Sequence, residues 1–227
     1  MMYKRRMRLP AANAITVAAL LILGFATACG SSSTKSTTTA SGTLKSTTSV
    51  STANIDPKPM VLQLQDLPTG FQTAPGSGYK SLAAAAKESS NVSAAQYKAW
   101  GYMTGYESDF SKNGSVADLM NGAGEILSSV SVYRTSAGPV NSLASTAKAC
   151  SRPPFHELSL GVRIGDEAHL CTAVRTSGAV KAQVYAIAWR RGRIRASILV
   201  GGLEGSTSPN EAVTLAKRQD SRIKQHL

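Results

Sequence analysis

The stretch VKAQVYAIAWRRGRIRASILV, residues 180 to 200, constrains the fold more than any other part of the chain. Two runs rich in Val, Ile, Tyr and Trp, residue types that suit pleated backbone, flank Gly192, which supplies the positive φ of a tight connection. The segment therefore reads as an antiparallel hairpin of Val180 to Trp189 and Arg193 to Val200. Side chains alternate along a strand, so Ile194, Ala196, Ile198 and Val200 are expected in the core. Arg193 and Arg195 then fall on the opposite face, exposed together beside Arg190 or Arg191 at the turn. Arg190, Arg191, Arg193 and Arg195 make a candidate anion-binding set, because guanidinium forks match phosphate and carboxylate oxygens. A solvated hairpin tip is the plainer reading of the same cluster.

Around this hairpin the pattern switches between periods of two and 3.6. Residues Val61 to Leu64 are expected as a short strand, closed by Pro68 and Gly70, and GYKSLAAAAKESS as a short helix or lid between Gly78 and Asn91. A helical turn in SAAQYKA leads into a strand over about 101–110, and Glu125 to Arg134 alternates as a strand, with Val130 and Val132 opposite Ser129, Ser131 and Tyr133. A helix is expected from a Ser136 cap, with Val140, Leu143, Ala144 and Ala147 on its inner face and Cys150 at its end before Pro153 and Pro154. Strands follow in FHELSL and through Cys171. Ser208, Pro209 and Glu211 open a last helix whose inner stripe is Ala212, Leu215, Ala216, Gln219 and Ile223. Hairpins without regular strand–helix alternation predict an α+β class, a mainly antiparallel sheet packed with helices in a single domain.

The amino terminus carries an address. Lys4, Arg5, Arg6 and Arg8 precede an apolar run from Ala11 to about Phe25, and the small residues Ala26, Thr27 and Ala28 precede Cys29. That order is a secretory signal peptide, and its apolar run is shorter than the roughly 20 residues of a spanning helix. A small-residue site ending at cysteine resembles the bacterial lipoprotein box, although Ala26 stands where leucine is commoner. The resemblance implies cleavage before Cys29 and lipidation of its thiol by diacylglycerol and acyl chains such as palmitate. Ordinary signal cleavage, leaving Cys29 as a free or paired thiol, is the alternative. Residues 30 to 53, mainly Ser, Thr, Gly and Ala with only Lys35 and Lys45 charged, cannot bury enough apolar surface to fold, so a disordered tether is expected. The division is a signal peptide over 1–28, lipidated cysteine and tether over 29–55, and a globular domain over 56–227.

Cys150 and Cys171 remain, an even number in a compartment where disulfides persist, and are expected to pair; two buried thiols are the alternative. The net charge of +12 shrinks once the signal and tether are set aside, leaving 19 Lys and Arg against 13 Asp and Glu. Such a surplus suits an anionic envelope surface, and export argues against nucleic acid as a partner.

Catalytic groups are sparse. His156, His169 and His226 are the histidines, and HELSL at 156–160 has Leu160 where a zinc-protease helix needs its second histidine. Ser-x-x-Lys occurs at Ser77, Ser145, Ser32 and Ser221 without the companion motifs of penicillin-recognising enzymes. NGAGEI and GGLEG lack a complete phosphate cradle, and Asp166 with Glu167 lacks spaced calcium ligands. No cofactor or metal is expected.

The motifs DLPTGF, IGDEA and AWRRGRIRASILV, with the closing helix, resemble small uncharacterised lipoproteins of high-GC Gram-positive bacteria and, more distantly, sensor domains of mycobacterial-type kinases and PsbP-like domains. The expectation is a lipid-anchored extracytoplasmic lipoprotein of the cell membrane with a non-enzymatic accessory, ligand-binding or sensor-like domain. A structural module holding anionic lipid or wall polymer, and a hydrolase with an unrecognised site, are the alternatives.

Overall fold

The computed structural model describes residues 54–89, 91–112 and 120–227. The signal, Cys29, the tether and the Ser32–Lys35 motif lie outside the described residues. In chain order the elements are β1 (Phe71–Thr73), β2 (Gly78–Lys80), α1 (Leu82–Glu88), α2 (Ala94–Ala99), β3 (Tyr102–Lys112) and β4 (Glu125–Tyr133), then α3 (Ala137–Cys150) and β5 (Phe155–Leu158). β6 (Glu167–Ser177), β7 (Val180–Arg191), β8 (Ile194–Leu203) and α4 (Pro209–Gln225) complete them.

All strand pairs are antiparallel, in the order β1-β3-β4-β8-β7-β6-β5, with β2 also on β3. This is the expected α+β architecture. The expected hairpin is present: Arg191 pairs with Ile194 across the two-residue connection Gly192–Arg193, and Gly192 takes a φ of 54°.

Alternation then sorts residues between two helices. Ile194, Ala196, Ile198 and Val200 of β8 join Ile187 and Trp189 of β7, Leu170 of β6 and Ile126, Val130 and Val132 of β4 beneath α4. Burying each large aliphatic side chain contributes about 1.5–3 kcal/mol. α4 presents the expected stripe, Ala212, Leu215, Ala216, Gln219 and Ile223, and Ser208 caps it by accepting from the Glu211 amide. A buried polar thread ties the layers together. The Leu62 amide donates to Ser128 Oγ, which donates to Gln219 Oε1, while Gln219 Nε2 donates to the Ser129 carbonyl.

The opposite face lies under α3. Cys150, at its last residue, is bonded to Cys171 of β6, with Cα atoms 5.6 Å apart. Near its other end, any β-carbon at Gly138 would collide with the Trp100 carbonyl and the Tyr133 ring, so only glycine lets the helix sit this close.

Three local expectations differ from the structure. Residues 61–64 are not a strand: two 3-10 turns, Lys58–Met60 and Leu64–Asp66, stand on either side of Val61 and Leu62, which with Met60 are fully buried. The segment acts as a plug under α4, and a plug buries consecutive side chains. The Gly78–Asn91 helix is shorter, because Gly78–Lys80 pairs with β3 and the helix begins only after the Ser81 cap. On α3, Gly138, Pro139, Ser142, Leu143 and Cys150 are buried, whereas Val140 is 40% exposed and the Ser136 side chain makes no cap bond. Close approach through Gly138 keeps the expected Leu143 inside and leaves Ala147 half-buried, but Val140 and Ala144 face out.

Candidate functional site

The two-residue connection decides where the hairpin arginines go. Because Arg191 pairs with Ile194 and Arg190 with Arg195, Arg191 shares the α4 face while Arg190 and Arg195 share the α3 face. Arg191 grips Asp220 of α4 with Nε and one terminal nitrogen, both at 2.8 Å. Arg190 donates to Glu167 at 2.9 Å and lies 3.6 Å from Asp166. Arg193 donates to the Arg134 carbonyl, and Arg195 donates to Thr146 of α3 and to Ser197, with its Nε buried and unpartnered among the described residues. The expected joint exposure of Arg193 and Arg195 is not observed: both are half-buried, Arg195 beside α3. The four arginines do not share one surface.

What the tip does form is a charged cleft of 290 Å³ lined by Arg163, Gly165, Asp166, Arg191, Asp220 and Lys224. Asp220 is its buried anion. Burial pushes the Asp220 carboxyl up, but Arg191 and Lys224, the latter 3.1 Å away, outweigh that and hold it below the usual carboxylate range. The Asp220 partnership raises the Arg191 guanidinium in turn. Arg163 has no carboxylate partner among the described residues. The volume sits at the lower edge of small-molecule sites, roughly 300–1,000 Å³, and the lining is charged where such sites are mostly apolar.

A second group of ionisable residues lies at the far end of the α3 face. Lys80 pairs with Glu88 at 2.6 Å and Glu107 at 3.0 Å. Glu125 and Asp109 are buried, each with one carboxylate oxygen unpartnered among the described residues. Burial, and then the neighbouring Asp109 charge, push Glu125 up to about 7, and burial pushes Asp109 up as well. Sequence reading missed both. An acidic residue at an inward strand position, as in ESDF and GEIL, was the available signal.

The remaining candidates are structural in placement. His156, Glu157 and Leu158 lie in strand β5 and Leu160 lies beyond it, so His156 and Leu160 share no helical face. His169 Nδ1 lies 2.8 Å from Glu157, and His226 caps the end of α4. Asp166 accepts from the Gly192 amide, which uses the acidic pair to brace the hairpin turn. Ser77 bonds the Asp109 amide while Lys80 serves its two glutamates, Ser145–Lys148 lies in α3, and Ser221 donates to the Lys217 carbonyl. Among the described residues no group of three or more His, Cys, Asp or Glu has a metal-holding arrangement, and no helix is long and apolar enough to cross a membrane.

No known family's sequence profile matches the chain, and no curated relative matches it. Among solved structures it is similar to the extracellular domain of PknH from Mycobacterium tuberculosis, at 10% identity and a TM-score of 0.44, over 78% of this chain and 97% of that one.

Proposed function

We propose that the chain is a membrane-anchored extracytoplasmic lipoprotein whose domain binds rather than catalyses. The observation that carries this reading is the Cys150–Cys171 bond joining α3 to β6. Structural disulfides persist in oxidising compartments, and this one stands in a chain that begins with a signal-like segment ending at Cys29. A binding role is favoured because the cleft presents charged groups, with Arg191 and Lys224 held on Asp220 and Arg163 without a carboxylate partner among the described residues.

The test is intact-mass analysis of the full chain recovered from membranes, with and without reductant. The expected species begins at Cys29, carries two or three acyl chains, and has no free thiol. Cys29→Ala should leave the membrane fraction. Unmodified Cys29 in the membrane-recovered protein would remove the anchor, and two free thiols at Cys150 and Cys171 would remove the argument for export.

A further inference from the structure

We infer that the exposed face of α4, with the segment where the domain begins, is a docking surface for anionic phospholipid; this rests on the membrane-anchored reading. The buried stripe of α4 leaves Lys217, Arg218, Ser221 and Lys224 exposed on the outer side. Lys217 has no carboxylate partner among the described residues, and Arg218 donates to the main-chain carbonyl of Asp66, so its charge is not neutralised there. Arg163 lines the same cleft as Lys224 and extends the cationic surface past the end of the helix. Lys58, exposed in the first 3-10 turn, extends it on the other side, since Arg222 joins that turn to α4 by donating to the Pro59 carbonyl. Of the carboxylates nearby, Asp66 pairs with Arg222, Asp220 with Arg191 and Lys224, and Asp166 with Arg190, while Asp56, which accepts from the Tyr79 hydroxyl and the Lys58 amide, keeps its charge. Cations are left in excess at the surface.

The choice of occupant follows from where the chain enters. Ile55 packs against the core, Asp56 accepts from Tyr79 of β2, and Pro59 accepts from Arg222, so the domain begins between β2 and α4. Residues 30–53 separate that point from Cys29, and the tether expected from their Ser- and Thr-rich composition would reach about 25 Å. An anchored domain on such a tether meets the bilayer continually, and the face beside the tether's exit meets it most often. Lysine and arginine near an anionic leaflet each strengthen association about fivefold at most, and salt screens the effect.

The test uses the full chain mixed with phosphatidylcholine vesicles, with or without an equal part of phosphatidylglycerol, each doped with a dansyl lipid. With Trp100→Phe in every protein used, Trp189, buried beneath α4, is the one tryptophan donor, which docking brings towards the lipid. Transfer should be higher with phosphatidylglycerol, fall in high salt, and fall several-fold in Lys217→Glu with Lys224→Glu. Lys217→Glu alone, at an exposed position with no ion pair, should give part of that loss without a change in Tm. Salt-resistant sedimentation with plain phosphatidylcholine reports the anchor separately. If it is missing, docking is read directly as salt-sensitive sedimentation with phosphatidylglycerol vesicles. Equal transfer from both vesicle types, an unaltered signal in the double variant, or tighter competition by soluble anionic wall polymer would each overturn the lipid assignment.

Discussion

On β8, Ile194, Ala196, Ile198 and Val200 turn towards α4, while Arg195, Ser197 and Leu199 turn towards α3; the first four are fully buried and the other three are half-buried. The neighbouring strands repeat the contrast. β4 gives Ile126, Val130 and Val132 to one side, and Glu125, Ser129 and Ser131 to the other, where Ser129 and Ser197 share a hydrogen bond of 2.7 Å. Two buried carboxylates make the chemical difference plain. Asp220 on the α4 side is held ionised by two cations, whereas Glu125 on the α3 side faces another carboxylate and is held towards its neutral form. The difference assigns labour: one face supplies the hydrophobic free energy of the fold, and the other is fastened by a covalent bond and a close glycine contact.

The sharpest way to break this comparison is to truncate adjacent residues of β8. Ile198→Ala should lose about 3–4 kcal/mol in chemical denaturation, because it removes transfer energy and leaves a cavity under a rigid helix. Leu199→Ala, on the half-open side, should lose about 1–2 kcal/mol. Equal losses would show that the two faces contribute alike.

A smaller effect, with a pH signature, tests the carboxylates. Glu125 has a folded pKa of about 7 against 4.5 for the free group, so the folded state holds its proton more tightly than the unfolded chain. Its contribution is intact below about pH 4.5 and is lost as pH rises towards 7. Glu125→Gln should flatten that decline and stabilise the protein above pH 7, by up to about 3 kcal/mol. Asp220 has the opposite sign: its contribution is present at neutral pH and is lost only in acid, as pH falls through its lowered value. Identical pH profiles for wild type and Glu125→Gln would mean that the carboxylate is solvated.

The hairpin and α4 were legible in the sequence for the same reason. Each has a strict period, and each is punctuated where the backbone needs it, by Gly192 in one case and by Ser208 and Pro209 in the other. The plug at 60–62 was not legible as such, since a short apolar run has no period that separates a strand from three consecutive buried residues. α3 was half legible: Leu143 lies inside as expected, but the rest of the inner side is written in Gly138, Pro139, Ser142 and Cys150, which apolar periodicity does not mark. The arginines were half legible. Period two puts Arg193 and Arg195 opposite Ile194, but separating Arg190 from Arg191 needs the register, and the register needs the length of the connection. The burial of Glu125 and Asp109 depends on what covers the sheet, which no local pattern encodes.

The strand order has a consequence for how the chain reaches this state. β5, β6, β7 and β8 pair in sequence order, whereas β4, paired locally with β3, joins them only through β8, with Val132 opposite Ile194 across some sixty intervening residues. Short loops close at little entropic cost and long ones at more, so the four-strand meander is expected to assemble before β4 docks. Both cysteines of the disulfide lie on the same side of that divide, 21 residues apart. Thiol trapping during refolding should therefore find the bond formed before protection appears in β3 and β4; the reverse order would mean that the amino-terminal strands nucleate the sheet. Oxidation then acts early, as a latch that fixes α3 to a half-built sheet and leaves the late-joining strands one open edge on which to add.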